Sequence, residues 1–212
     1  MGNRRVGRIV RVLSRRIPFV YLEQTNQAFR FLMWRMNRCS NPPAWVKQKT
    51  IRRYAREYDL STFIETGTYL GDTVWAVRDL FRQIYSIELD MELCCAARKR
   101  FVNYRHITIL GGDSSIVLPR LMKSVSGHCL FWLDAHYSGG VTARGTTSTP
   151  IINELQIISM FDARCHVVLI DDADCFVGRD GYPTMAELRT IIEKNYPGSR
   201  FQVEDNIIRI YQ

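Results

Sequence analysis

No apolar run in this 212-residue chain approaches the roughly 18 residues that a bilayer-spanning helix requires, since even residues 17–22 are flanked closely by Arg16 and Glu23. The chain is therefore expected to hold neither a membrane span nor a secretory signal. Cysteine pairs at redox or zinc spacing are also missing: Cys39, Cys94, Cys95, Cys129, Cys165 and Cys175 form no C-x-x-C, and several lie in apolar runs where cysteine packs as a small hydrophobe. That usage fits a reducing, cytoplasmic setting. Glycine (13) and proline (7) are too scarce for collagen-like or low-complexity material. What remains is ordinary globular composition, 46% hydrophobic and 24% charged, in a length suited to one domain with an accessory segment.

The net charge of +8 is unevenly spread. Residues 1–60 carry 14 Lys and Arg against Glu23, Glu57 and Asp59, a net of +11, whereas residues 61–212 carry 15 against 18 acids, a net of −3. A nucleic-acid enzyme would more often hold its positive surface beside the active site, so a nucleic-acid partner is not expected. Val6, Ile9, Val10, Leu13 and Ile17 follow helical spacing among arginines, which reads as a basic amphipathic helix over residues 1–20. Such a helix could touch anionic membrane from the cytoplasmic side, cover a partner, or serve as an Arg-rich transit segment. Met1-Gly2 does not extend to a myristoylation signal, because Val6 stands where Ser or Thr is needed.

Two more helices are expected near 20–38 and 44–58, separated by Ser40-Asn41-Pro42-Pro43. From residue 61 short apolar runs alternate with helical stretches. Strands are expected at 62–65, 84–88, 107–110, 129–134 and 167–171, with helices near 72–82, 91–102, 114–125, 151–161 and 184–194. That alternation predicts an α/β fold with a doubly wound, mainly parallel sheet covered on both faces. Residues 200–204, Asp205-Asn206 and 207–211 read as a hairpin that adds an antiparallel strand at the end. The chain thus divides into a basic helical segment, 1–60, and a catalytic body, 61–212.

The chemistry gathers at the strand ends. Glu65-Thr66-Gly67-Thr68-Tyr69-Leu70-Gly71 puts a carboxylate and glycines at the first strand-to-helix turn, where backbone can approach a ligand. This turn reads G-x-x-x-G rather than G-x-G-x-x-G, and Glu65 would repel a pyrophosphate but not a sulfonium amino acid. The second strand ends in Glu88, suited to accept hydrogen bonds from ribose hydroxyls, and the third in Gly111-Gly112-Asp113-Ser114, suited to an adenine amino group. Any one acid could merely cap its following helix; three in succession are harder to explain so.

This run, with the closing hairpin, resembles the class I S-adenosylmethionine-dependent methyltransferases over residues 61–212. The resemblance implies a Rossmann-like, seven-stranded sheet with its last strand antiparallel. It also implies that Glu65, Gly67, Thr68 and Gly71 surround the methionine part of the cofactor, Glu88 the ribose, and Asp113 with Ser114 the adenine. Tyr69 departs from the family, standing where glycine is frequent.

The fourth strand ends in Asp134-Ala135-His136 and the fifth in Asp171-Asp172. Neighbouring strand ends could bring Asp134, Asp171 and Asp172 to one point, and three hard oxygen ligands suit Mg²⁺. The pattern looks like that of metal-dependent O-methyltransferases, including the macrolide sugar type in which a nearby histidine is the base. That likeness implies Asp134 near cofactor and acceptor, with His136 as the base. Capping of the following loop is an equal reading of Asp171 and Asp172. His106, His128 and His166 lie at strand beginnings, the opposite edge, and are expected to be structural. The expected function is O-methylation of a sugar or other small polar acceptor by a chain that could be a homo-oligomer. Two alternatives stay open: a dinucleotide-dependent oxidoreductase, and a non-catalytic membrane-associated scaffold that kept the fold.

Overall fold

A computed structural model describes residues 29, 31–36, 41–134, 149–161 and 166–212. The chain forms two compact units, Met1–Ala44 and Trp45–Gln212. In the first, the described part is helical over 31–35, with Phe31 and Trp34 in a tilted ring contact. Residue 29 is helical as well; the rest of the helix expected near 20–38, and the basic helix expected over residues 1–20, lie outside the described residues.

In the second unit, strands β1 (Thr62–Thr66), β2 (Gln83–Glu88), β3 (Ile107–Gly111), β4 (Cys129–Leu133), β5 (Val167–Ile170), β6 (Arg200–Glu204) and β7 (Ile207–Tyr211) form one sheet. Their order is β3-β2-β1-β4-β5-β7-β6. The first five are parallel, and β7 runs antiparallel to both β5 and β6. Asp205 and Asn206 join β6 to β7 with φ of 56° and 59°, the two left-handed residues that a tight hairpin turn of matching twist requires.

β1, β4 and β5 are buried along their whole length at the centre of the covered sheet; β4 and β5 are apolar throughout, whereas β1 also buries Thr62, Glu65 and Thr66. Alternate side chains feed two cores. Phe63, Leu130, Trp132, Leu169 and Ile207 pack with helices α1 (Ala44–Glu57), α2 (Asp72–Val77) and α3 (Met91–Arg100). Ile64, Phe131, Val168 and Ile208 pack with α4 (Ser114–Met122), α5 (Ile151–Ser159) and α6 (Met185–Asn195). The caps explain several helix starts: Asp90 accepts from Glu92 and Leu93 amides at α3, and Thr184 with Glu187 makes a capping box at α6.

The expected strands stand within a residue at their ends. Helix α2 stops at Val77, short of the expected 82, because Leu80 bonds back to the Val77 carbonyl and Arg82 already pairs with Ser61. No described helix is long and apolar enough to cross a membrane.

Candidate active site

The strand order steps outward from β1 in both directions, so β1 and β4 flank the topological switch point whose carboxyl edge is the natural ligand crevice of such a sheet. At that edge β1 carries Glu65, fully buried, with Ser86 of β2 donating a hydroxyl hydrogen bond to its Oε2. Ser86 shares a second hydrogen bond, 2.5 Å, with Thr68. Burial pushes the Glu65 carboxyl up to about 8; Asp134 and Glu88 reinforce that, and the Ser86 hydroxyl opposes it.

The turn after β1 is left-handed at Gly67 (φ 86°), Tyr69 (φ 48°) and Gly71 (φ 77°). A Cβ on Gly71 would come within 2.8 Å of the Phe101 ring, so only glycine fits there without displacement. Tyr69 holds a glycine-like conformation as a non-glycine residue, and its amide donates to Glu88 Oε2 at 2.7 Å. The Asp90 amide donates to Glu88 Oε1 at 2.9 Å. Glu88 is thereby locked at the end of β2 with both oxygens held by backbone, leaving further lone pairs to accept from a ligand. Asp113 is the N-cap of α4, its Oδ1 accepting from the Ser115 amide and hydroxyl, while Ser114 is buried beside it. The capping role is therefore real for Asp113 and does not use its second oxygen.

On the other side of the switch point, Asp134, Asp171 and Asp172 each offer an oxygen within 4.8 Å of the others. Asp134 follows β4 and its amide bonds Thr66; the Asp171 amide bonds Leu133; Asp172 takes a left-handed φ of 53° before a 3₁₀ turn at Ala173–Cys175. Burial, with Asp134 reinforcing it, raises the Asp171 pKa, and Lys47 pulls it down. As a donor set the three carboxylates fit a hard divalent cation. His136 lies in 135–148, outside the described residues.

Three contributors carried no signal in the strand-end motifs. Lys47 on α1 donates to Asp171 Oδ2 and lies 3.8 Å from Asp172 Oδ1. Glu154 on α5 is buried with Oε1 lacking a hydrogen-bond partner among the described residues. Burial pushes its carboxyl up to about 7, the Ser114 hydroxyl pulling the other way. Tyr182 joins Leu133, Asp134, Glu154, Ile170 and Asp171 around the cleft. The signal for Lys47 and Glu154 is a charge on a core-facing stripe: Lys47 rides with Thr50, Ile51 and Tyr54, and Glu154 with Ile151, Leu155 and Ile158. The histidines at the far edge are structural as expected where the bonds are described. His166 Nδ1 accepts from the Cys129 amide and its Nε2 meets the Phe161 carbonyl, while His106 Nε2 meets the Arg78 carbonyl.

No family model and no curated sequence matches the chain. Solved structures do. The S-adenosylhomocysteine-bound methyltransferase PaMTH1 of Podospora anserina is 16% identical with a TM-score of 0.54, over 100% of this chain and 96% of its own. The O-methyltransferase TomG of Streptomyces achromogenes, solved with S-adenosylmethionine, is 14% identical with a TM-score of 0.57, over 88% and 89%. The N-methyltransferase NodS of Bradyrhizobium japonicum WM9 is 12% identical with a TM-score of 0.54, over 79% and 94%. At such identities the likeness establishes architecture. The body has the class I methyltransferase fold, seven strands and closing hairpin included.

Proposed function

We propose that this protein is an S-adenosylmethionine-dependent methyltransferase that methylates a hydroxyl of a sugar or similar small polar acceptor, with Mg²⁺ held by Asp134, Asp171 and Asp172. The observation that carries it is the row of acids at successive strand ends around the switch point, Glu65, Glu88, Asp113 and Asp134, on this fold. The turn after β1 also reads G-x-x-x-G, with Gly67 and Gly71 and no third glycine at the dinucleotide spacing, which disfavours the dinucleotide reading.

When bound, S-adenosylmethionine supplies an electrophilic methyl group on a sulfonium, and Mg²⁺ a charge that favours the ionised acceptor oxygen. The chain's own task is positioning, because a displacement that neutralises charge needs little else. Glu88, fixed by the Tyr69 and Asp90 amides, receives ribose hydroxyls. Glu65 and the Gly67–Gly71 turn border the methionine part, and Ser114 with the free oxygen of Asp113 borders the adenine. Asp134 stands between the cofactor half and the acceptor half, and His136 takes the acceptor's proton. The basic residues 1–20 are read as a contact for anionic membrane.

Incubation of the protein with S-adenosylmethionine labelled in its methyl group, Mg²⁺, and a set of glycosides, phenols and amines tests the reading, with products analysed by mass spectrometry. A labelled methyl group carried on oxygen as a methyl ether is the expected result. Label on nitrogen would overturn the hydroxyl assignment, and the absence of any transfer while the cofactor binds would favour the scaffold.

A further inference from the structure

We infer that Lys47 is a tethered competitor of the divalent cation: its ammonium takes the place of metal charge at Asp171 and Asp172, and a metal ion must displace it to gather all three carboxylates. The inference rests on the metal reading above and goes beyond it by naming a residue that sets which cations are accepted.

The geometry is specific. Lys47 reaches Asp171 from a helix 124 residues away in sequence, and its side chain is largely buried, 19% exposed, against 1% for Asp171. Asp172 Oδ1 is 3.8 Å from the same ammonium. Left alone, three carboxylates this close would repel one another. One ammonium offsets part of that charge at no cost in recruitment, since α1 is anchored by buried Ile51, Tyr54 and Ala55.

An ammonium and a divalent ion cannot both sit well here. Mg²⁺ and Mn²⁺ need their oxygens at close range and in a narrow geometry, whereas Asp171 Oδ2 accepts from the Lys47 ammonium and Oδ1 from the Asp172 amide, so a metal must approach where the ammonium already stands. The two cations would also repel across a partly buried site where screening is weak. Weakly charged or large monovalent ions could not dislodge the lysine. A divalent ion could, and the freed ammonium would then lie within a side-chain length of the acceptor half of the cleft.

Mn²⁺ is the probe. Its binding to the full chain is followed by electron paramagnetic resonance for the unaltered protein, Lys47→Met and Lys47→Arg, with thermal melts as a check on folding. Lys47→Met is expected to bind Mn²⁺ at least tenfold more tightly, and Lys47→Arg no more tightly than the unaltered protein. In parallel, acetic anhydride labelling of the unaltered protein is read by peptide mass spectrometry, with exposed Lys49 as reference. Mn²⁺ is expected to raise Lys47 labelling several-fold relative to Lys49. Mn²⁺ binding to the unaltered protein with no gain in Lys47→Met overturns the competition and leaves the metal reading standing. If Lys47→Met fails to fold, unchanged labelling overturns it alone. Absence of Mn²⁺ binding in every variant overturns the metal reading and the competition together.

Discussion

Glu65 is a carboxyl that the fold keeps from water at the carboxyl edge of the sheet, and this has a measurable cost. Its pKa rises from 4.5 to about 8, and that of Glu154 to about 7, both by burial. Between about pH 5 and 8 the folded chain therefore holds protons that the unfolded chain has released, so stability falls as pH rises through that window. Urea unfolding of the ligand-free protein at pH 5.5 and 8 should show a loss on the order of a few kcal/mol, and Glu65→Gln should reduce it while leaving the share of Glu154. An equal slope in the variant would mean that Glu65 is ionised in the fold. At this scale the sequence was legible where a carboxylate met a strand-to-helix turn: Glu65, Glu88 and Asp113 announced themselves by glycines and spacing. Lys47, Ser86 and Glu154 did not, because a lone charge or hydroxyl on an otherwise apolar stripe shows its partner only once distant elements pack.

Among the elements, α1 decides how the site is completed. It precedes the first strand, yet Ile51, Tyr54 and Ala55 enter the same core as Phe63, Trp132 and Ile207. Ile51→Ala should cost about 2–4 kcal/mol in chemical denaturation, the range for emptying a buried site that collapses only partly. A loss under about 1 kcal/mol would place α1 outside the cooperative core. The strands were readable from apolar runs of four to six residues bounded by turns, and the hairpin from Asp205-Asn206. Helix α2 is shorter than its sequence pattern implies because the apolar period continues through Leu80 and Phe81, while the chain has already turned to begin β2. The 3₁₀ turn at Ala173–Cys175 gave no periodic signal, being too short to have one.

For the molecule as a whole, the parallel sheet brings five strand ends to one edge, and the antiparallel β7 closes the side beyond β5. Acids far apart in sequence thus form two groups about the switch point, Glu65, Glu88 and Asp113 on one side and Asp134, Asp171 and Asp172 on the other. In the proposed reading the first group suits an adenosyl sulfonium and the second an acceptor with a metal. The measurement that bears most directly on this account is calorimetric titration of the protein with S-adenosylhomocysteine, beside NADH and the Glu88→Ala variant. The account predicts micromolar binding of S-adenosylhomocysteine, no heat from NADH, and at least a hundredfold weaker binding in the variant, about 3 kcal/mol for the charge-assisted bonds to the ribose. A folded protein that binds no S-adenosylhomocysteine, or binds it equally well without Glu88, would contradict it.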